Sequence, residues 1–513
     1  MNISPSRILK LSIVFAGLAG IMSEYLLSTI ATYLLGDAVK QWTLIISFML
    51  LAMGVGSGVS SLIKERLIDV FIFVEILLSF FISISVISGY LVISYVGFRY
   101  LVLYSLSFMI GFLIGYEIPL ATRINNSYEE LRINIAEIMK RDYIGAFLGG
   151  ILFIFVAIPY VGLVYTPVVL ALLNFFIALL LLYAFKNLIT YKKSLLAACG
   201  ILFLIIITVF IKSEDILFHQ EQKLYMDKIV YYEQTPYQRI VVTEWQEDYW
   251  LYLNGNQQFS SFDEERYHEP FVHPAMLLAN KAKKVLVLGG GDGLAVREIL
   301  KHKNIEEVTL VDLDPAVTTL AKENTIFTNL NNNSLNDKRV TVMNEDGFTY
   351  LEQSRNKFDV IFIDLPDPKS IDLSRLYSYE FYLICKAHLT EGGMLVTQSI
   401  SPVFSRQSFF CILNTLKEAG FSTIPYHANI PTMGEWGWIV SAKQEHLSQE
   451  ALKDVFLHLD LKGIELNFLN NETLQAMAIF WKNAFEGLET VEINRLLKPV
   501  IFSYYKNDRW DLY

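Results

Sequence analysis

Residues 285–302, VLVLGGGDGLAVREILKH, decide the fold of the C-terminal half of this chain. The apolar run predicts a buried strand, the glycines a tight turn, and the remainder an amphipathic helix. Four further strands are predicted in EEVTLVDLDP (306–315), RVTVMNEDGFTYL (339–351), FDVIFIDLPDP (358–368) and GGMLVTQS (392–399). Strands that alternate with helices predict a mainly parallel, doubly wound sheet whose ligands bind at the carboxyl ends of the strands.

The first three of these strands end in groups that suit a nucleoside. Glycines 289–291 and 293 let the backbone approach a ligand closely, and Asp312 ends the second strand, where an acid can accept both ribose hydroxyls. Asp346 and Gly347 follow the third strand, where a carboxylate can meet an adenine amino group. Each acid alone could cap a helix, but the three features in this order predict a nucleoside site.

Asp292 lies inside the glycine turn and narrows the ligand class. The turn lacks the lysine and hydroxyl of a phosphate-binding loop, and a fixed anion repels a pyrophosphate. The sequence therefore favours a sulfonium nucleoside of the S-adenosylmethionine type. The decarboxylated form, which ends in a bare ammonium, fits better than the form that carries a carboxylate, although Asp292 could also act as a helix cap.

The N-terminal half has the amino-acid composition of an integral membrane domain. Hydrophobic residues make up 53% of the chain, mean hydropathy is +0.38, and the excess lies in residues 1–212. Seven apolar stretches are long enough for a bilayer core of about 30 Å. We place them near 9–35, 42–63, 68–92, 100–121, 143–160, 165–185 and 195–211. A multi-pass, all-α domain in contact with membrane lipid is expected.

Composition excludes other classes of partner. The net charge of −10 leaves no basic stripe, so no nucleic acid partner is expected. The three cysteines show neither paired spacing nor a metal-ligand pattern, so neither a disulfide nor a metal site is expected. Glu24, Glu75, Glu117 and Asp142 fall within or at the edge of the apolar stretches. Intramembrane acids suggest function, and the alternative is a structural pair or an interfacial position.

Several segments together resemble the polyamine aminopropyltransferases, such as spermidine synthase. They are YQRIVV (237–242), LNGNQQFSSFDEERYHE (253–269), the glycine turn, LVDLDP, NEDGF, DLPDP and LYSYEFY (376–382). The N-terminal multi-span region and PTMGEWGWIVSAK (431–443) are similar to the membrane-fused bacterial branch of that family. The resemblance implies a small antiparallel β-sheet plus a class I methyltransferase-like (Rossmann-like) α/β domain. The expected domains are 1–212 (membrane, about seven helices), 213–262 (small sheet), 263–445 (catalytic) and 446–513 (extension of unknown role).

The family transfers an aminopropyl group from decarboxylated S-adenosylmethionine, a co-substrate, to a polyamine, commonly putrescine, with no prosthetic group. By resemblance, Asp364 is the catalytic base. The other implied roles are nucleoside binding by Gln238, Asp312, Asp346 and Gly347; binding of the amine-bearing chain by His268 and Asp292; and acceptor binding by Gln258, Tyr267 and Asp367. An alkylammonium must lose a proton before it attacks carbon, which is why a carboxylate is placed there.

The chain departs from the family on the acceptor side. Lys369-Ser370-Ile371-Asp372 replaces the common Gly-Pro-Ala after the acidic pair, and Met433 replaces a tyrosine that contacts the acceptor. Putrescine is therefore only the default acceptor, and longer amines stay open. A methyltransferase on the same scaffold and a polyamine-binding membrane sensor or transporter are the alternative functions.

The distribution of basic residues bears on location. Arg7 and Lys10 precede the first apolar stretch, and the positive-inside rule then places the N-terminus in the cytoplasm. Seven spans would leave the C-terminal domain outside, whereas a cytosolic donor requires it inside. We expect a multi-pass protein of the inner cell membrane with a cytoplasmic catalytic domain, and a homo-oligomer is among the open oligomeric states.

Overall fold

The computed structural model describes residues 5–508, apart from the side chain of Val96. The chain divides into two compact units, Met1–Lys228 and Ile229–Tyr513. The first unit is helical and the second contains both sheets.

The helical unit is built from long apolar helices. Within the described residues they are α1 Pro5–Leu35, α2 Ala38–Ser60, α3 Leu67–Leu91, α4 Val96–Asn125, α5 Leu131–Leu152, α6 Gly162–Ala184 and α7 Lys192–Gln222. A π-helix, Phe153–Val161, joins α5 to α6. Because their buried residues are largely Leu, Ile, Val, Ala and Phe, these helices share one apolar core.

Six helical stretches in the described part of the chain are long and apolar enough to cross a membrane. One of them, Leu131–Ala184, runs for 54 residues and contains both the fifth and the sixth predicted spans. At 1.5 Å per helical residue, its 54 residues are more than enough for two passes across a bilayer core of about 30 Å. Gly162, with φ +75°, and the internal prolines Pro159 and Pro167 interrupt its regular geometry.

The C-terminal unit begins with a small antiparallel sheet. Its strands, as described, are β1 Lys228–Gln234, β2 Arg239–Trp245, β3 Asp248–Leu253 and β4 Asn256–Ser260, in that spatial order. Asn254 and Gly255 both have positive φ and form the tight turn between β3 and β4, as the Asn-Gly pair predicts.

The second sheet has seven strands among the described residues, in the order β10-β11-β9-β8-β5-β6-β7. They are β5 Lys284–Gly289, β6 Glu307–Asp312, β7 Val340–Asn344, β8 Phe358–Asp364, β9 Leu389–Gln398, β10 Phe421–Ile430 and β11 Gly434–Lys443. Strands β5 to β9 pair in parallel, and β11 is antiparallel to both β9 and β10. The predicted small sheet and doubly wound sheet are confirmed.

Helices cover both faces of this sheet, so its central strands are fully buried; residues 285–288 of β5 are each 0% exposed. The helices are α8 Glu265–Leu278, α9 Leu294–Leu300, α10 Pro315–Glu323, α11 Thr325–Leu330, α12 Gly347–Gln353, α13 Ile371–Ser374, α14 Tyr379–His388, α15 Arg406–Glu418, α16 Gln449–Leu457, α17 Asn471–Met477 and α18 Val500–Asn507.

Candidate active site

The carboxyl ends of β5, β6 and β8 meet at one edge of the large sheet. Gly289 at the end of β5 is the register partner of Asp364 at the end of β8, and Asp312 ends the neighbouring β6. The backbone amide of Gly290 donates a hydrogen bond to the carbonyl oxygen of Asp364 at 3.1 Å. The glycine turn and the predicted base therefore share one rigid edge.

The glycines of this turn are required by close approach as well as by conformation. Gly289 has φ +81°, and a Cβ added there would lie 2.0 Å from the carbonyl oxygen of Asp364. A Cβ at Gly291 would lie 2.6 Å from Oδ2 of Asp312. Side chains at these positions would push the acids away from the turn.

Asp312 is oriented by backbone amides. Gly291 donates to its Oδ2 at 3.1 Å and Asp314 to its Oδ1 at 3.0 Å. Burial raises the pKa of Asp312 to about 6, against the effect of these two hydrogen bonds. A partly buried carboxylate fixed in this way is suited to accept hydrogen bonds from a diol.

Asp292 binds a backbone amide at the start of α9, whose N-cap is Gly293, and also contributes charge. Its Oδ1 accepts a hydrogen bond from the backbone amide of Leu294 at 2.8 Å, at the start of α9. Burial raises the pKa of Asp292, while the neighbouring His268 opposes that shift. The bond to Leu294 and an interaction with a ligand are compatible, because a carboxylate has further acceptor sites.

His268 is a cation among these acids. Its Nδ1 donates to Oε2 of Glu264 at 2.8 Å, and the side chain is 3% exposed. Burial opposes a charge on the ring, but the bond to Glu264 and the nearby carboxylates of Asp292 and Asp364 raise its pKa to about 9. Imidazolium does not attract an ammonium, so its charge favours a role in positioning the acids over direct contact with the amine-bearing chain.

Asp364 forms the central pair of the site with Tyr267. The hydroxyl of Tyr267 donates to Oδ1 of Asp364 at 2.6 Å. Burial raises the pKa of Asp364 to about 6; Asp292 adds to this shift, whereas His268 and Tyr267 oppose it. A carboxylate with a pKa close to neutrality is a better proton acceptor than an ordinary aspartate.

Asp367, the second acid of the DLPDP segment, is bound by groups from distant parts of the chain. Tyr505 of α18 donates its hydroxyl to Oδ2 at 2.9 Å, and Gln398 of β9 donates its amide to Oδ1 at 3.4 Å. The hydroxyl of Tyr377 lies 3.1 Å from the carbonyl oxygens of both Leu365 and Pro366 and shares its one hydrogen between them, which supports the loop. Burial raises the pKa of Asp367, and these donors together with Lys369 oppose the shift.

Lys369 places an ammonium group beside this acid. Its Nζ donates to Oδ1 of Asn256 in β4 at 2.6 Å and lies 5.8 Å from the ring centroid of Tyr505. Burial lowers the pKa of the Lys369 ammonium, and Asp367 counteracts that effect. The acceptor side of the site therefore contains a built-in ammonium.

The two glutamines predicted to bind substrate both form hydrogen bonds to other residues of the protein. The amide of Gln238 donates to Oδ2 of Asp314 at 3.0 Å, and Gln258 donates to the carbonyl oxygens of Asn256 and Gln257 at 3.0 and 3.3 Å. Gln238 thus links the small sheet to the end of β6, next to Asp312.

Asp346, at the predicted adenine position, caps α12 by accepting from the backbone amide of Thr349 at 2.9 Å. It also pairs with Arg375 at 2.5 Å, a contact that the sequence did not indicate. Gly347 begins α12, and a Cβ added there would lie 3.4 Å from Leu288.

Comparisons with known proteins assign the chain to a family. The profile of the "Spermine/spermidine synthase domain" family matches residues 264–454. "Polyamine aminopropyltransferase 2" of Aquifex aeolicus is 41% identical over 98% of this chain and 99% of its own length. The chain belongs to the polyamine aminopropyltransferase family. The "Polyamine aminopropyltransferase" of Leptospira interrogans is 40% identical, with 98% of each chain covered.

Among solved structures, the spermidine synthase of Thermotoga maritima is similar over 51% of this chain and 88% of its own, with 27% identity and a TM-score of 0.46. The resemblance seen in the sequence is confirmed by the full-length relatives, which share the N-terminal half as well as the catalytic half. The chain is therefore an enzyme of this family, and these relatives match its sequence over the N-terminal half as well.

Proposed function

We propose that this aminopropyltransferase uses putrescine as acceptor and releases spermidine and methylthioadenosine. The donor of the family is decarboxylated S-adenosylmethionine, a co-substrate and not a prosthetic group. The observation that carries the assignment of roles is the bond of 2.6 Å between Tyr267 and Asp364, beside the anions Asp292 and Asp312.

On the donor side, Asp312 accepts the ribose hydroxyls, Asp346 and Gly347 border the adenine, and Gln238 supports Asp312 through Asp314. Asp292 attracts the terminal ammonium of the aminopropyl arm, with His268 holding the surrounding carboxylates. A methionine carboxylate in the same place would be repelled, so decarboxylated donor is preferred to the intact form.

On the acceptor side, Asp364 takes a proton from the attacking amine. The amine lone pair then forms a bond to the propyl carbon next to sulfur, and the carbon–sulfur bond breaks with its electron pair on sulfur. The positive sulfonium becomes the neutral thioether of methylthioadenosine. Gln258, Tyr267 and Asp367 orient the acceptor.

The energetics require more than the base. A free alkylammonium has a pKa of about 10, and the pKa of Asp364 is about 6. Transfer across a gap of about 4 units is unfavourable by roughly 5 kcal/mol. In-line positioning must supply the rest of the rate enhancement, and effects of that kind reach about 7–11 kcal/mol.

We also propose that the helical unit is inserted in the inner membrane, with the catalytic unit in the cytoplasm. The length and hydropathy of its helices support insertion. A reporter fused after residue 513 tests the orientation; activity of a periplasmic-type reporter would contradict it.

Product analysis tests the chemistry. Purified full-length protein is incubated with decarboxylated or intact S-adenosylmethionine and a panel of amines, and products are identified by mass. Formation of spermidine and methylthioadenosine from putrescine is expected. Transfer of a methyl group, or a preference for a triamine over putrescine, would contradict the proposal.

A further inference from the structure

The interior of the helical unit holds acidic side chains without bonding partners. Glu75 of α3 is 0% exposed and Glu117 of α4 is 1% exposed. Neither oxygen of either carboxylate has a hydrogen-bond partner among residues 5–508. An ionised carboxylate buried without a partner is strongly unfavourable, so such a group in an apolar interior either takes up a proton or binds a cation.

These acids lie close together although they come from different helices. Glu117 interacts electrostatically with Glu75 and with Asp142 of α5. Asp142 also faces α1, because its Oδ1 would lie 2.9 Å from a Cβ added at Gly17. Carboxylates gathered in one region repel each other unless one of them is protonated or a positive charge lies among them.

The relative direction of α3 and α6 follows from two contacts. Asp69, near the start of α3, accepts hydrogen bonds from the backbone amides of Thr190 and Tyr191, which follow α6. Further along α3, the hydroxyl of Ser79 donates to the carbonyl oxygen of Ala171 at 2.6 Å. The two helices therefore run antiparallel.

This geometry places an amide beside the acids. Glu75 lies one turn from Ser79, and Asn174 lies nearly one turn from Ala171 in the same direction. Asn174 is 0% exposed, and in the described part of the chain neither its amide nitrogen nor its oxygen has a partner. A buried amide without partners is a second, independent sign that a polar ligand belongs here.

We propose that Glu75, Glu117 and Asn174 form a binding site, inside the helical unit, for the ammonium group of an aliphatic polyamine. The two carboxylates supply charge, and the amide oxygen supplies a third acceptor for an ammonium that donates three hydrogen bonds. Asp142 adds a further negative charge nearby.

An organic ammonium suits these surroundings better than a divalent metal. Calcium and magnesium take six or more oxygen ligands, more than these side chains provide. The methylene chain of a polyamine is compatible with the Leu, Ile and Phe side chains of the core. The choice of polyamine rests on the proposed function, because the attached catalytic unit acts on the same class of cation.

Chemical protection tests the site without relying on turnover. Full-length protein in lipid vesicles is treated with a hydrophobic carbodiimide, and modification of Glu75 and Glu117 is followed by peptide mass spectrometry. Millimolar putrescine or spermidine should slow modification at least fivefold, and sodium chloride at the same ionic strength should not. Unchanged modification with polyamine, no modification at all, or equal protection by sodium would overturn the proposal.

Variants sharpen the test. Asn174→Leu and Glu75→Gln should each raise the polyamine concentration needed to protect Glu117 at least tenfold. Glu137→Gln, which removes an acid that pairs with Lys140 at 3.4 Å, is the matched control and should not. If Asn174→Leu or Glu75→Gln fails to fold, protection of the unaltered protein still decides.

Aminopropyl transfer, measured in parallel, separates the two proposals. Transfer without protection refutes the second site alone, and protection without transfer refutes the proposed function alone.

Discussion

The donor and acceptor sides of the active site are built in different ways. On the donor side, Asp292 and Asp312 are held by backbone amides of the glycine turn and of residues two positions further along the chain. On the acceptor side, Asp367 is held by side chains from β9 and α18, and Lys369 is held by β4. The donor side is thus a local structure, whereas the acceptor side depends on segments more than 100 residues apart along the chain.

This difference implies that the two sides respond to mutation separately. Acids that are held by backbone amides keep their positions when distant side chains change. The KM for the donor should therefore stay constant in such variants. The acceptor side can be altered at its periphery, at Lys369 and Tyr505, without touching the donor acids.

The largest expected effect is at the point where the two sides meet. Asp364→Asn removes the proton acceptor, and kcat should fall by about 10²–10⁴-fold while donor affinity changes little. Steady-state kinetics with putrescine and a donor-binding assay measure both. Asp454→Asn, at an exposed position of α16, is the control; an equal loss there would show that kcat does not report on the base.

The pH profile examines the same group. Asp364 accepts a proton only when ionised, so log kcat of the unaltered protein should fall with unit slope as the pH drops below about 6. The acid limb should be missing in Asp364→Asn. A limb that persists in the variant would assign it to another group.

The next largest effect is expected from removing the negative charge of Asp292 in the glycine turn. Asp292→Ser keeps an oxygen to accept from the amide of Leu294 but removes the anion, and Asp292→Asn does the same with an amide. Both should raise KM for the decarboxylated donor by about 10–100-fold and reduce discrimination against intact S-adenosylmethionine. Asp292→Ala lacks both the anion and the acceptor for the amide of Leu294. If this variant lost its preference for the decarboxylated donor while Asp292→Ser and Asp292→Asn kept it, the anion would not be the group that selects the donor.

A smaller effect is expected from the cation on the acceptor side. Lys369→Met removes an ammonium that repels additional charges on a long acceptor, so kcat/KM for a triamine relative to putrescine should rise about tenfold. Lys357→Met, which removes an exposed lysine, provides the comparison. An unchanged ratio would mean that Lys369 does not restrict acceptor length.

The smallest effect is expected at Tyr505→Phe. It removes one hydroxyl that donates to Asp367, so KM for putrescine should rise about threefold to tenfold and KM for the donor should stay constant. A parallel rise in both constants would show that the two sides are coupled.

The contrast also explains how much the sequence could predict. Strand-end acids such as Asp312 and Asp364 follow from periodicity and parallel topology, because a strand end fixes which sheet edge a residue reaches. No local sequence pattern predicts that Tyr505 and Gln398 bind Asp367, because these contacts form only when the chain folds. Arg375 lies next to a recognised motif, but nothing local indicates its pairing with Asp346.

Helix α18 offers a way to retarget the enzyme. It adds a phenol to the acceptor side while contributing no strand to either sheet. Replacing α18 with the corresponding helix of a relative should therefore change the preference for the acceptor amine and leave the residues that bind the sulfonium donor unaltered.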